Sequence, residues 1–220
     1  MNCLETLGLV VGLTAGFATT GVAQSVSGQA YGAYVNTPLG AVSQSPLAVL
    51  PFISISGTDG DIATAQADAL NVGGALSSDF LNSITSGAIG STAASAQSTA
   101  TVANVNILGG LITAKEVIAT VTSSRTARGA GSNANGTTFE DLTVAGTPVT
   151  TGDAPVAPNT QVSLPGVGYV VLNEQIPAGD GVTSSGITVN MIHVYLQSPT
   201  GGTLTTGEII VGSARSAVGP

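Results

Sequence analysis

The chain has 220 residues, with four Lys or Arg, twelve Asp or Glu and one His, for a formal net charge of −8. Charged residues make up 7% of it, against roughly 25% in an ordinary soluble domain. The four cations, Lys115, Arg125, Arg128 and Arg215, cannot build a phosphate-neutralising patch, which excludes nucleic acid and anionic lipid as partners.

Two windows, Thr6 to Thr58 and Phe80 to Ala114, carry no charged side chain at all. Residues 1–23 read as a secretory signal peptide: Leu7 to Ala18 is an apolar run, and Thr19 to Ala23 supplies small residues before a cut ahead of Gln24. The n-region holds Glu5 and no Lys or Arg, a departure from the usual pattern. Cys3, the only cysteine, falls inside this segment. Disulfides, thiolate-held zinc and thiol catalysis are thereby excluded from the mature chain. Residues 24–220 form a single β domain by this reading, secreted, with no membrane contact after signal cleavage.

From Gln24 on, the periodicity is that of strands. Ile53 to Gly57 alternates and runs into the turn composition of Gly57 to Gly60. Asp61 to Leu70 is the one helical pattern, with Asp61 as N-cap and Ile62, Ala65, Ala69 and Leu70 on one face. Ser77 to Thr85 is a second short helix candidate, and the Ser/Ala/Thr tract from Ser86 to Thr101 reads as a small-residue strand or extended loop. Val102 to Leu108 and Leu111 to Val121 flank Gly109-Gly110, a hairpin signal because a type I′ turn needs positive φ at both central positions. Phe139 to Val149 and Val162 to Asn173 carry further strands, with Pro148 and Pro165 marking edges or bends. Ile187 to Leu196 is apolar on both faces and belongs in the middle of a sheet. After a turn at Ser198 to Gly202, Glu208 to Ser213 forms the last strand. The fold class is all-β, an antiparallel sandwich or barrel-like domain, with at most one or two short helices between residues 61 and 85.

The motif search returns mostly absences: no Gly-x-Ser-x-Gly elbow, no His-Glu-x-x-His, no phosphate-cradling loop and no dinucleotide fingerprint. His193, the only histidine, falls by strict alternation on the face of Val189, Met191 and Tyr195, where a packed role outweighs a catalytic one. Asp59 and Asp61, alternating in a glycine turn, are the calcium candidates. The EF-hand pattern breaks at Ala63 and no third acid is near. Glu140-Asp141 and Asp59 with Asp79 are the acids a glycosidase would draw on. With no Trp, four Tyr and four Phe, an aromatic platform for sugars is not evident. Asn135-Gly136-Thr137 fits a glycosylation acceptor and reads more simply as a polar loop. No cofactor is implied, and an enzyme is not expected.

The order of SGQAYG (27–32), VANVNILGGLITAKEVIATVTS (102–123), FEDLTVAGTPV (139–149), PNTQVSLPGVGYVVLNEQ (158–175), ITVNMIHVYL (187–196) and IIVGSARSAV (209–218) resembles the choice-of-anchor P family. Those are bacterial secreted domains that occur with differing surface-sorting signals. The resemblance implies an extracellular or cell-surface location and carries over no site residues. A sorting tail is not seen after Arg215 to Pro220.

Three functions follow. The first is a structural protein of the cell surface or matrix, self-assembling by strand addition through the uncharged Gln24 to Gly57 segment, since a sheet without lysines has unprotected edges. The second is an adhesin-like binding module for glycans or a surface protein, for which clustering of Tyr31, Tyr34, Tyr169 and Tyr195 is the discriminating observation. The third is an acid-only hydrolase, requiring two carboxylates facing each other across a cleft.

Overall fold

A computed structural model of the protein describes residues 24–53, 58–197 and 205–220. Residues 1–23, read above as a signal peptide, most of the Ile53 to Gly57 alternation and the Ser198 to Gly202 turn expected from sequence lie outside the described residues. Every regular element among them is a strand.

One sheet has six strands: β1 (Ser25–Thr37), β2 (Gly40–Ile53), β14 (Thr160–Leu164), β15 (Gly168–Gly179), β16 (Ser185–Gln197) and β17 (Thr205–Gly219). Their order is β14-β15-β16-β17-β1-β2, all antiparallel. The second sheet is built on the long hairpin of β7 (Ala93–Ile107) and β8 (Ile112–Thr126). On the β7 side stand β3 (Thr58–Ala67), β4 (Leu70–Val72), β5 (Leu76–Ser78) and β6 (Leu81–Ile89). On the β8 side stand β9 (Gly129–Asn133), β10 (Thr138–Glu140), β11 (Thr143–Val144), β12 (Thr147–Pro148) and β13 (Asp153–Ala154). The sheets pack face to face, β17, β16 and β1 lying on β6, β7 and β8, in a β-sandwich-like arrangement.

Most sequence expectations for strands hold. β16 sits inside its sheet, Pro148 lies on the outermost strand β12, and Pro165 opens the turn between β14 and β15. The Ser/Ala/Thr tract becomes the end of β6 and most of β7. Two expectations need correction. Asp61 to Leu70 and Ser77 to Thr85 are strand, not helix: β3 pairs with β6 from Ala67↔Leu81 to Thr58↔Ile89. The apolar spacing at Ile62 and Ala65 resembled a helix face, but β3 is a strand paired, among the described residues, only with β6 and leaves Ile62 exposed. The Gly109-Gly110 hairpin exists, but its closing pair is Ile107↔Ile112. The loop therefore has four residues, with Leu108, Gly109 and Gly110 all at positive φ.

The interior divides into two apolar clusters. The larger spans both sheets around Val102, Val117, Phe139, Met191, Ile192 and Val211. The smaller holds Val26, Leu50, Ile89, Ala94, Ala96 and Val218. Between them runs a belt of buried hydroxyls. Thr85 Oγ1 and Ser98 Oγ pair at 2.8 Å, and Ser98 donates to the Arg215 carbonyl at 2.6 Å. Ser123 Oγ meets Ser216 Oγ and Ser132 Oγ, each at 2.7 Å, and Ser132 meets Ser185 at 2.8 Å. A chain short of ions thus ties its two sheets together through hydroxyls, each satisfied by another hydroxyl or a carbonyl.

Strict alternation fails along one transverse row. On β16, Val189 and Met191 face the core, and so do Ile192 and Val194. The reversal recurs in neighbouring strands without a register change. Asn173 on β15, Met191 on β16, Gly212 on β17 and Gly32 on β1 stand side by side, bracketed by unbroken pairings. Asn173 (φ 48°) and Gly212 (φ 67°) take the left-handed conformation that such a reversal demands. The second sheet repeats the device where Asn104 (φ 51°) stands opposite Lys115, so that Val102 and Val105 both face inward.

The first-sheet edge is uncharged, as expected. β2 carries no charged residue, and Leu47 and Val49 are exposed on it. Pro46 supplies no backbone donor there, and its carbonyl is taken by Ser83 Oγ of the other sheet at 2.9 Å.

Candidate functional site

The row of reversals decides what the solvent face of the six-stranded sheet displays. With Met191 and Ile192 both turned inward, Asn190, His193 and Tyr195 all point outward. His193 therefore does not share a face with Val189 and Met191, as strict alternation predicts. It joins Tyr195 on the opposite one. The same inversion on β1 brings Tyr31 and Tyr34 to that face, beside Ser213 and Ile210 of β17.

Glu174 of β15 is the hub. Its Oε2 accepts from Asn190 Nδ2 at 2.7 Å and lies 2.7 Å from His193 Nδ1. Its Oε1 accepts from the Tyr195 hydroxyl at 2.8 Å. On the other side of the imidazole, Nε2 lies 3.1 Å from Glu208 Oε2. The ring is bracketed by two carboxylates, with its side chain 9% exposed against 16% for Glu174 and 35% for Glu208. Asn190 Oδ1 accepts from Ser213 Oγ at 2.7 Å. Tyr31 stands beside Ser213 as its cross-strand neighbour, and on β2 Gln44 accepts from Gln29 Nε2 at 2.8 Å.

Burial alone would raise the Glu174 pKa, but the hydrogen bonds from His193, Asn190 and Tyr195 more than offset it and hold the carboxyl at about 2. Tyr195 is shifted the other way, raised by burial and by its bond to the Glu174 carboxylate. Burial also raises Tyr31.

The aromatic rings are ordered by this network. Tyr195 stacks on Tyr169 of the neighbouring strand, centroids 4.7 Å apart and planes 15° apart. It also stacks on His193, at 3.9 Å and 28°. Tyr169, Tyr195, Glu208 and Asn36 form one row across β15, β16, β17 and β1, each paired directly with the next. At the polar end of that row lies a groove of about 400 Å³, lined by Asn36, Tyr195, Thr206, Gly207 and Glu208.

The arrangement favours holding over reacting. Both imidazole nitrogens face carboxylate oxygens, so the ring is not free to take a proton from a nucleophile. Glu174 is engaged by three donors and kept ionised, which makes it a poor base.

The other sequence candidates stand apart from this face. Asp61 is exposed on β3 opposite Gly87, and the side chain of Asp59 lies outside the described residues. Among the described residues no group of three acids, histidines or cysteines is placed to hold a metal ion. Glu140 pairs with Lys115, Asp141 accepts the Gly152 N–H at 2.7 Å, and Asp79 accepts from Asn104 at 2.8 Å. All four tyrosines point to the outer face, but only Tyr169 and Tyr195 are in contact; Tyr34 and the buried Tyr31 stand on β1, two strands away from Tyr195. Sequence reasoning missed Glu174, Glu208, Asn190 and Asn36. The one available signal was an acid beside each of two apolar runs, in Val170-Val171-Leu172-Asn173-Glu174 and Glu208-Ile209-Ile210-Val211. No protein-family model, curated protein or solved structure matches the chain.

Proposed function

We propose that this protein is a secreted, cell-surface binding module of the adhesin type, and that the outer face of its six-stranded sheet is the binding surface. The observation that carries this reading is the gathering of all four tyrosines on one face around the Glu174–His193–Glu208 cluster. Tyrosines combine contact area with polar tips and few rotatable bonds, which suits a recognition surface. The orientations of Tyr169 and Tyr195 are set in advance by stacking and by the bond to Glu174, so little ordering of these two rings is left to occur on binding.

The test is adhesion of the fluorescently labelled full-length protein, as secreted, to intact cells and to isolated envelope or matrix material. Wild type should adhere, and the Tyr34→Ser/Tyr169→Ser double variant should lose most of that adhesion while keeping its melting temperature within a few degrees. Equal adhesion by both proteins, or by neither, removes the reading.

A structural, self-assembling role, the first expectation from the sequence, becomes the second reading, favoured by the uncharged edge strand β2 with Leu47 and Val49 exposed. Within the chain, the Gln24 to Gly57 segment supplies β1 and β2 to its own sheet. Polymerisation would therefore use the free side of β2 rather than a donated β1. Filaments or sheets in electron micrographs of the secreted protein would favour this role over the first.

A further inference from the structure

We infer that the groove beside Tyr195 takes a saccharide unit bearing no acidic group, with Glu208 and Asn36 as its hydroxyl-recognising pair; this rests on the binding-module reading above. The groove, at about 400 Å³, falls within the usual size range of small-ligand sites. Its lining combines a carboxylate, an amide, a hydroxyl and an aromatic ring from Glu208, Asn36, Thr206 and Tyr195. The carboxylate accepts from two sugar hydroxyls, while the amide and the threonine both donate and accept. Asn36 and Glu208 are direct cross-strand neighbours, so their polar ends sit side by side, as vicinal hydroxyls require. Beyond Glu208 the same row turns aromatic at Tyr195 and Tyr169. A pyranose is divided in the same way, with a polar edge and an apolar C–H face.

Charge narrows the class. Among the described residues no Lys or Arg lines the groove, and its one acidic group is the Glu208 carboxylate. A uronic acid, a sialic acid or a phosphorylated sugar would meet the Glu208 carboxylate with no Lys or Arg to answer it. The site is also built rigidly. His193 holds Glu208 from behind at 3.1 Å, and the bond from Tyr195 to Glu174 fixes the aromatic wall.

The experiment titrates the labelled full-length protein with cellobiose, maltose, lactose, digalacturonate and a lysine-rich peptide, following backbone amides by NMR. At least one neutral disaccharide should shift the amides of residues 36, 195 and 206–208 with a millimolar Kd, and digalacturonate should not. Glu208→Gln and Asn36→Ala should each weaken that binding about tenfold, the loss expected for one hydrogen bond to a charged or well-placed group. Thermal melts within a few degrees of wild type would show that both variants are folded. If digalacturonate binds as well as the neutral sugars, or only the lysine-rich peptide binds, the saccharide assignment is wrong while the module reading stands. The same holds if none of the probes shifts these amides but the protein still adheres through its tyrosines. Adhesion that survives Tyr34→Ser/Tyr169→Ser removes both.

Discussion

His193 Nδ1 lies 2.7 Å from Glu174 Oε2, although the residue paired opposite His193 is Val171 and Glu174 is paired with Asn190. The contact is a diagonal one. It exists because the reversal at Met191 puts Asn190 and His193 on the same face, three residues apart, so one carboxylate oxygen can reach both.

This contact sets an acid sensitivity. Glu174 has its pKa lowered from 4.5 to about 2 in the fold. A carboxyl lowered on folding contributes stability that is fully present above its unfolded value and is lost as pH falls through its folded value. The Glu174 contribution should therefore be complete above about pH 4.5 and disappear towards pH 2. His193→Gln removes one of the groups that lower it, so the carboxyl should titrate at higher pH and acid unfolding should begin earlier. Carboxyl carbon shifts of Glu174 between pH 1.5 and 6, in wild type and variant, check this directly.

Gly212→Ala tests the reversal itself. The added Cβ would sit at φ 67° and 3.0 Å from Val117 Cγ1. A left-handed L-residue costs roughly 1–2 kcal/mol before any crowding. The variant should lose at least that much in urea unfolding. Amide shifts of Asn190 and His193 should move with it, because their shared face depends on this row.

Ser123→Ala tests the hydroxyl belt. Ser123 is fully buried and meets both Ser132 and Ser216. Deleting it leaves the buried Ser216 hydroxyl without its partner and half-buried Ser132 with Ser185 alone, at a cost of about 1–3 kcal/mol. The Ser123→Ala/Ser216→Ala pair should cost less than the sum of its singles, since the second change removes an orphan left by the first. Denaturant midpoints of the three variants give the coupling.

Gly28→Ala reaches the same belt from the other sheet. A Cβ at position 28 would overlap Thr85 Oγ1 and come within 2.9 Å of Ser98 Oγ. Both hydroxyls would have to leave their paired positions. Overpacking of this kind costs about 1–3 kcal/mol, and the thermal midpoint should fall accordingly. Adding Thr85→Ser removes no hydroxyl and should recover little of the loss, whereas Thr85→Ala should relieve the clash at the expense of the pair.

Much of the strand pattern was legible because β-branched runs and glycine turns report local preference directly. β16 and the β7–β8 hairpin were visible in this way. The β3 segment was misread because small residues such as Ala63, Ala65 and Ala67 fit a helix as readily as a strand. Only pairing with β6 decides between them. The face of His193 was misread for a different reason. Alternation counts two residues per repeat, and nothing in Asn190-Met191-Ile192-His193 announces that the count restarts. Of the site, the tyrosines could be named in advance but not placed. Their convergence depends on pairing between β1 and β17, at opposite ends of the chain.

The paired reversals have one more consequence. A sheet of Ser, Ala, Thr and Val offers many near-equivalent alignments, and β7 is the extreme case, with Ala93 to Thr101 almost free of distinguishing side chains. Sliding such strands by two residues would cost little in burial. It would, however, carry Asn104 away from its station opposite Lys115, or Gly212 from its place between Met191 and Gly32. Each crease then meets an uncreased neighbour, and the fault propagates across the sheet. The creases act as notches that admit one alignment. A sequence with so little side-chain individuality can in this way still specify a single fold.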